Sequence, residues 1–230
     1  MPYPDGLGVF TTFVVSPDKP ILYLSDHYER LKRDAAFFNL AMPWSNVASM
    51  RKTIESLPIR TPVVMRISLT DKTWVHLRSL PAPKASVKLA TVQYDRQFPQ
   101  HKHMSRIAED YFLRQVQAQH FDDFLRLSSA GYITETAYCN IFFVLPDSRL
   151  YTPCPQQAGC LPGIARKAIL NQGIPVEEGC FSTDILSEAV GAFVTNAVRG
   201  IVPVSQIDDQ MFDVEWVQSL LGRFAPSPQP

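Results

Sequence analysis

The sequence is poor in glycine and cysteine and carries no net charge. Its 230 residues include 10 glycines and four cysteines, and 22 lysines and arginines balance 22 aspartates and glutamates. This balance excludes a strongly basic protein that binds nucleic acid or an anionic membrane surface through its overall charge. A ligand that bears phosphate therefore needs a local binding site.

The four cysteines show neither a C-x-x-C spacing nor the pairing pattern of small secreted proteins. They are Cys139, Cys154, Cys160 and Cys180, and we interpret them as reduced thiols of a cytoplasmic protein. No apolar run approaches the roughly 20 residues that a membrane-spanning helix needs. The N-terminus lacks the basic and then apolar pattern of a secretory signal, so we expect neither export nor a membrane anchor.

The apolar residues, 46% of the chain, can furnish a substantial core. Pro81-Ala82-Pro83 lacks periodicity and is stiffened by its prolines, which favours a boundary between domains. The sequence therefore predicts an α+β protein with a small N-terminal domain over residues 1–82, a linker over 83–86 and a larger domain over 87–230.

The small domain is expected to combine strands and helices. Ser25 and Asp26 are natural N-cap residues for a first helix, with Glu29 as the partner in a capping box. The predicted elements are a hairpin of strands 9–15 and 21–24, the helix that follows it, a helix over 44–57, and strands at 62–69 and 74–77.

The larger domain is expected to hold a mostly antiparallel sheet or barrel with flanking helices, because short turns cannot join parallel neighbours. Its predicted strands lie at 87–92, 124–128, 132–135, 140–145, 150–152, 175–177 and 192–195. Its predicted helices begin near Met104, at the L-P-G-I-A-R segment of residues 161–166 and at Thr183-Asp184, and a last one covers 214–224.

Lys102 lies at the predicted junction between a strand and a helix. The helix is indicated by residues at helical spacing, namely Met104, Ile107, Ala108, Tyr111, Phe112 and Gln115. Taken alone, a lysine in this position is an ordinary solvated surface residue. Its interest comes from the segments that stand in order before and after it.

Five segments of the chain form an ordered set. They are D-H-Y-E-R-L at 26–31, K-H-M-S-R at 102–106, I-T-E at 133–135 with N-I-F at 140–142, L-P-G-I-A-R at 161–166, and T-N-A at 195–197. The set resembles the fold-type IV pyridoxal-phosphate enzymes, which include branched-chain and D-amino-acid aminotransferases and 4-amino-4-deoxychorismate lyase. The resemblance runs from about Leu7 to Pro203. It implies that family's fold, a small-molecule substrate and a homodimer with active sites near the interface.

The resemblance also implies two catalytic residues. Pyridoxal phosphate needs a lysine that bonds to its aldehyde and, once freed by the substrate, transfers protons. This residue is implied to be Lys102. The ring nitrogen stays protonated beside a carboxylate, and Glu135 in the pattern T-E-x-x-x-x-N-x-F matches that partner.

Further residues are implied to hold the cofactor. Phosphate suits the backbone N–H groups at a helix start together with a cation, and Arg30 in H-x-x-R-L matches the phosphate-contacting arginine. The other implied contacts are Gly163, Ile164 and Ala165 at the helix start, Asn196 and the Ala197 amide as a second wall, and Leu161 against the cofactor ring. Ala165 and Ala197 stand where the aminotransferases commonly carry threonine, so binding would rely on backbone amides, Arg30 and Asn196.

The neighbours of Lys102 favour one reaction within the family. The run K-H-M-S-R-I resembles K-H-L-N-R-L of the aminodeoxychorismate lyases, whereas branched-chain aminotransferases typically place a tyrosine five residues after the lysine. Asn196-Ala197 and the strand segment Phe10-Thr11-Thr12 also resemble the lyases. We therefore predict elimination of pyruvate from 4-amino-4-deoxychorismate to give 4-aminobenzoate for folate synthesis.

Other functions stay open on the sequence. One is an aminotransferase of D-amino or branched-chain amino acids, and another is a non-catalytic binding protein that has kept the fold, which the missing threonines make plausible. Arg66, Arg106 and Arg199 are candidates for binding a substrate carboxylate. His101 and His103 flank Lys102 but lack a third ligand at suitable spacing, so we predict no metal site.

Overall fold

The computed structural model describes residues 8–221. This part of the chain divides into two compact units. The first unit contains the described residues up to Ala82 together with His101–Arg106, and the second contains Pro83–Gln100 and the described residues from Ile107 onward. The segment that carries Lys102 therefore belongs to the first unit.

The first unit is a three-stranded antiparallel sheet with two helices. Its elements are β1 (Val9–Val15), α1 (Leu24–Phe37), α2 (Val47–Glu55), β2 (Val63–Leu69) and β3 (Thr73–Arg78), with the strands in the order β1-β2-β3. Phe13, Leu31 and Ile67 are each 1% exposed in its core. Burying each of these side chains contributes roughly 1.5–3 kcal/mol to folding, so this core orders β1 and α1.

The predicted hairpin at 9–15 and 21–24 is wrong. Beyond β1 only one isolated bridge, Ser16 with Lys19, forms in the turn, and β1 instead pairs along its whole length with β2. The prolines at 17 and 20 lack the N–H groups that a second strand would need there. Ile21 is buried in the core of the unit without forming a strand.

The predicted caps of the first helix are also wrong. The helix begins at Leu24, after Tyr23 in a left-handed conformation (φ 53°), and no side chain caps it. Ser25 and Asp26 thus lie inside the first turn. The second helix is confirmed but is shorter than 44–57, because Asn46 and Ser49 form a reciprocal capping box at its start. The strands predicted at 62–69 and 74–77 are confirmed as β2 and β3.

The second unit is built on a nine-stranded sheet. Its strands are β4 (Val87–Gln93), β5 (Asp123–Leu127), β6 (Ile133–Thr136), β7 (Asn140–Val144), β8 (Leu150–Pro153), β9 (Val176–Gly179), β10 (Gly191–Asn196), β11 (Gly200–Ile207) and β12 (Gln210–Met211). They follow the path β6-β5-β4-β11-β10-β7-β8-β9, and β12 pairs with β11. Among the described residues, five of the strand pairings are antiparallel and three are parallel, which confirms a mostly antiparallel sheet.

Five helices accompany this sheet in the described part of the chain. They are α3 (Ile107–Gln117), α4 (Pro155–Ala158), α5 (Ile164–Leu170), α6 (Ile185–Glu188) and α7 (Val214–Leu221). The predictions did not include α4, β11 or β12. The last helix was predicted to run to residue 224, and its final residues lie outside the described part.

The apolar stripe predicted for the helix after Lys102 is only partly correct, since Phe112 packs against a buried cluster but other members do not. The helix starts at Ile107 rather than near Met104, and Ile107 and Tyr111 are 85% and 59% exposed. The buried residues of α3 are Glu109 and Val116. Glu109 is buried because the guanidinium of Arg96 lies 3.0 Å from its carboxylate. A charged residue thus occupies the inner face that periodicity assigns to apolar ones.

Two further features bear on the sequence predictions. All four cysteines are free thiols. Within residues 8–221, no helix is both long enough and apolar enough to cross a membrane.

Candidate active site

Lys102 is held beside the first strand of its unit. The carbonyl of Lys102 accepts a 3.0 Å hydrogen bond from the Phe10 N–H, and the Met104 N–H donates to the Gly8 carbonyl at 2.8 Å. His103 forms a bridge with Val9. Lys102 is half-buried in this short segment that lies antiparallel to β1, so its backbone is fixed.

Asp34 fixes the same segment from α1. Its side chain is 1% exposed, and one carboxylate oxygen accepts a 3.0 Å hydrogen bond from the Lys102 N–H. The other oxygen lies 2.9 Å from Nδ1 of His101, whose ring stacks on Phe37 at 4.0 Å between ring centroids. The backbone of Lys102 and the side chain of the preceding His101 are therefore anchored to one helix.

The ring of Phe10 lies next to two cations. Nζ of Lys102 is 4.7 Å from the ring centroid, and the guanidinium carbon of Arg66 is 3.7 Å from it. Cations are attracted to the face of an aromatic ring at such distances. Of the three arginines considered for a substrate carboxylate, Arg66 thus shares an aromatic neighbour with Lys102, while Arg199 lies exposed in the second unit.

Arg30 belongs to a buried polar group in the first unit. It donates to Oγ1 of Thr11 at 3.1 Å, and the same hydroxyl lies 2.6 Å from Nδ1 of His27. Burial lowers the pKa of Arg30 to about 10. Burial also lowers the pKa of His27 well below its ordinary value, and the nearby charges of Arg30 and Lys102 lower it further. His27 is therefore neutral at physiological pH.

The guanidinium of Arg30 retains a donor for a ligand. Its Nε is buried and makes no hydrogen bond to any residue in the described part of the chain. A buried cationic donor without an acceptor is costly unless a ligand supplies one. An anionic group such as phosphate would satisfy it, so this residue fits the role predicted for it.

Glu135 lies in β6 of the second unit and is 5% exposed. One of its carboxylate oxygens accepts from Arg96 at 3.1 Å and from Arg126 at 2.8 Å. The other oxygen accepts from the Leu161 N–H at 3.1 Å. A carboxylate offers about four acceptor positions, so one remains for a ligand N–H. This geometry fits the role predicted for Glu135.

The pattern T-E-x-x-x-x-N holds Leu161 from both sides. Glu135 accepts from the Leu161 N–H, and Nδ2 of Asn140 donates to the Leu161 carbonyl at 2.8 Å. Leu161 is buried and its backbone is fixed by these two bonds. The two polar residues of the pattern, which come from β6 and β7, thus set the course of the chain just before α5.

Gly163 is the N-cap of α5, and the next two residues form the first turn. Ile164 and Ala165 are both buried. The first N–H groups of a helix have no acceptor within the helix, so this end can bind an anion through backbone donors. The absence of a side chain at Gly163 allows its backbone to lie close to Asn140, because a Cβ atom there would lie 1.9 Å from Oδ1 of Asn140.

Asn196 ends β10, and Ala197 lies in the turn that follows. Oδ1 of Asn196 accepts from the N–H groups of Val198 and Arg199 at 2.9 and 2.8 Å, and its Nδ2 lies 3.1 Å from Sγ of Cys139. The carboxamide therefore shapes the turn. Next to it, Oγ1 of Thr195 is buried and makes no hydrogen bond to any described residue.

Several residues that contact or lie close to Lys102, Arg30 or Glu135 escaped the sequence predictions. Asp34, Arg96 and Arg126 were not assigned roles, and Thr11 and His27 were quoted only as parts of motifs. Arg126 could have been identified from the sequence, because it is a cation within the predicted strand 124–128. A buried arginine in a strand needs an anionic or polar partner. Within residues 8–221, no group of three or more histidine, cysteine, aspartate or glutamate side chains is arranged to hold a metal ion.

Comparisons with known proteins relate the chain to one group of enzymes. The sequence model of the family described as amino-transferase class IV matches residues 8–207. An aminodeoxychorismate lyase of Vibrio harveyi is 29% identical over 114 residues, which cover 46% of this chain and 40% of that protein. A Rickettsia typhi protein named "Probable branched-chain-amino-acid aminotransferase" is 28% identical over 82% of this chain and 74% of its own length.

The alignments cover different shares of the related proteins. Alignments with three other Rickettsia proteins of the same name span only 31–33% of their lengths, so the chain aligns with well under half of several relatives. Among solved structures, the branched-chain aminotransferase of the archaeon Thermoproteus uzoniensis superposes with a TM-score of 0.82. It covers 95% of this chain and 84% of that chain at 20% identity, so the two share a fold.

Proposed function

The chain belongs to the class IV aminotransferase family, and on that premise we propose that it is a pyridoxal-phosphate-dependent 4-amino-4-deoxychorismate lyase. The observation that carries this choice is K-H-M-S-R at residues 102–106, which resembles the run around the lysine of such lyases. Asn196 followed by Ala197 and the alignment with the Vibrio harveyi lyase support the same reaction. Its products would be pyruvate and 4-aminobenzoate, a precursor for folate synthesis.

Pyridoxal phosphate, when bound, supplies an aldehyde that bonds to amines and a ring that accepts electron density. Lys102 is the residue proposed to hold the aldehyde. Its backbone is fixed by Phe10 and Asp34, which would keep the side chain in place for proton transfer. There, Lys102 would remove the proton from the carbon that bears the substrate's amino group.

Glu135 is proposed to face the ring nitrogen. Its carboxylate accepts three hydrogen bonds, all of them donated by protein groups. The one remaining acceptor position can receive a ring N–H. Glu135 would thereby keep that nitrogen protonated while negative charge develops on the substrate carbon.

The phosphate group is proposed to bind Arg30 and the first-turn amides of α5. The support for Arg30 is its buried Nε, which makes no hydrogen bond within the described residues. Gly163, Ile164 and Ala165 would contribute backbone donors, since Ala165 offers no hydroxyl. Leu161 would pack on the ring, and Asn196 and the Ala197 amide would line the phosphate.

A product assay tests the proposed reaction. Purified protein saturated with pyridoxal phosphate is given 4-amino-4-deoxychorismate, and pyruvate and 4-aminobenzoate are quantified. We expect both products in equal amounts from the wild type and none from Lys102→Ala. Absence of pyruvate, together with turnover of a D-amino or branched-chain amino acid with 2-oxoglutarate, would reverse the choice of reaction.

An aminotransferase is the second candidate. It is favoured by the Rickettsia typhi relative, whose alignment covers 82% of this chain. In that case an amino acid substrate, added without an acceptor, would convert the bound cofactor to its amino form. Subsequent addition of 2-oxoglutarate would reverse the change. The absorbance spectrum recorded during each half-reaction separates this activity from a lyase, which releases pyruvate without an acceptor.

Two properties of the whole protein are also proposals. We propose a homodimer, supported in the first unit by β3, an edge strand with exposed Trp74, Val75 and Leu77. Light scattering of the purified protein tests this state. A cytoplasmic location stays a prediction from the free cysteines, and fractionation of cells checks it.

A further inference from the structure

Arg126 is the most deeply buried charged side chain beside Glu135. Its side chain is 2% exposed, and that of Glu135 is 7% exposed. Nη2 of Arg126 lies 2.8 Å from Oε1 of Glu135. Removal of two such charges from water is unfavourable unless each finds good partners. The two side chains must therefore have further hydrogen-bond partners, and these partners indicate the role of Arg126.

The remaining donors of Arg126 are directed to two fixed groups. Nε donates to Oγ1 of Thr134 at 2.8 Å, and Nη2 also reaches the carbonyl of Gly159 at 3.3 Å. Gly159 ends α4 with φ +74°, a left-handed conformation that glycine adopts without strain. One guanidinium thus joins β6 to the loop that follows α4.

That loop returns to the same carboxylate. Two residues after Gly159, the Leu161 N–H donates to the second oxygen of Glu135. The carboxylate is therefore bound on one oxygen by Arg126 and on the other by the loop that Arg126 also holds. Rotation of the Glu135 carboxylate would break at least one of these bonds, which fixes the direction of its remaining acceptor position.

The charges around the pair are balanced. Arg96 contacts both Glu135 and Glu109, so two arginines face two glutamates. Burial alone would lower the pKa of Arg126, but its interactions with Glu135 and Tyr94 together outweigh this effect, and the pKa lies above its ordinary value. The phenol of Tyr94 lies nearby with its ring 5.5 Å from the guanidinium, and burial raises its pKa to about 12, so it is neutral.

We propose that Arg126 is a positioning residue, which orients the Glu135 carboxylate and ties it to the loop 159–161 so that one acceptor position is presented to a cationic ring N–H. The inference rests on the proposed function, because it takes that N–H to belong to pyridoxal phosphate. Arg126 itself does not contact the cofactor in this proposal. Its fork of donors matters as well as its charge, since lysine could not bond to Glu135, Thr134 and Gly159 together.

The test measures binding of pyridoxal phosphate by the full chain through fluorescence quenching. Arg126→Met is expected to weaken binding about tenfold or more, the effect of losing a charged hydrogen bond. In the same assay, introducing Glu135→Gln into Arg126→Met is expected to weaken binding by less than about a further threefold. The effects of residues that act through one another are not additive. Arg149→Met, which removes an exposed arginine paired with Asp147, is the matched control and should bind like the wild type.

Arg126→Lys keeps the experiment decisive if the methionine variant does not fold. It retains the cation but loses the fork, so we expect binding between those of the wild type and Arg126→Met. The pH midpoint of the bound cofactor's absorbance gives a second readout that simple loosening of the fold would not move. Removal of the cation in Arg126→Met should raise that midpoint by about one pH unit, whereas Arg126→Lys should leave it nearly unchanged.

The outcomes separate the two proposals. If the wild type binds pyridoxal phosphate and Arg126→Lys binds equally well with an unchanged midpoint in every variant, the role of Arg126 is overturned and the proposed function stands. Fully multiplicative effects of Arg126→Met and Glu135→Gln would also overturn it. If the wild type binds no pyridoxal phosphate, the proposed function fails and this inference fails with it.

Discussion

A Cβ atom at Gly163 would lie 1.9 Å from Oδ1 of Asn140, whose Nδ2 donates to the Leu161 carbonyl. The backbone of Gly163 has φ −69°, which any residue can adopt. The glycine is therefore required by the close approach of one side chain and not by backbone strain. This contact connects the pattern T-E-x-x-x-x-N to the start of α5, where the phosphate group is proposed to bind.

We expect Gly163→Ala to lower the free energy of unfolding by about 1–3 kcal/mol, the usual cost of overpacking a filled site. The Asn140 side chain would have to move, which breaks its bond to Leu161. Adding Asn140→Ala should then cost less than it does in the wild type, because the bond to Leu161 is already broken and the truncation removes the clash. Urea denaturation of the two single variants and the double variant measures this coupling, and strict additivity would contradict the proposed contact.

Asp34→Asn is expected to lower the free energy of unfolding by about 2–3 kcal/mol. The substitution weakens charge-assisted hydrogen bonds from the Lys102 N–H and from His101, and an amide NH₂ would replace one acceptor. Glu29→Gln, an exposed change on the same helix, should stay within about 0.5 kcal/mol of the wild type. Equal denaturation midpoints for both variants would show that Asp34 does not anchor the lysine segment.

Acidification should destabilise the protein through His27. Burial lowers the pKa of His27 in the folded state, so below its ordinary pKa of about 6.5 the unfolded chain binds a proton that the folded chain does not. Stability from this group is complete above about pH 6.5 and falls by up to about 1.4 kcal/mol for each pH unit below it. His27→Asn should show a smaller loss between pH 7.5 and pH 5.5, measured by urea denaturation. A loss as steep as that of the wild type would rule out this origin.

Arg30→Gln should weaken binding of pyridoxal phosphate by about tenfold or more, because a charged hydrogen bond to phosphate is lost. The free energy of unfolding of the protein without cofactor should change little, since the substitution also removes the cost of burying a cation. Arg51→Gln on the surface of α2 is the control. If Arg30→Gln binds the cofactor as tightly as the wild type, another cation contacts the phosphate.

The sequence patterns pointed to single residues within short ordered segments. Lys102, Glu135 and Gly163 were identified because a lysine, a carboxylate and a glycine each recur at a fixed order in one family. The structure adds why two of these positions are so constrained: Leu161 bonds to Glu135, and Gly163 is close to Asn140.

Other features could not be predicted because they depend on partners distant in the chain. The predicted hairpin failed since the partner of β1 is β2, about 50 residues away, and no local pattern encodes that choice. Part of the stripe predicted for α3 failed because Glu109, paired with Arg96, is buried there instead of an apolar residue. The same reason hid Asp34, whose partners His101 and Lys102 lie far along the sequence.

Detection of the proposed covalent bond between Lys102 and the cofactor is the most direct test of the account. Protein loaded with pyridoxal phosphate is reduced with borohydride, digested and analysed by mass spectrometry, with Lys102→Ala and the exposed Lys52→Ala treated in parallel. We predict one stoichiometric adduct on Lys102 in the wild type and in Lys52→Ala, and none in Lys102→Ala. An adduct on another lysine, or equal labelling of Lys102→Ala, would contradict the central claim.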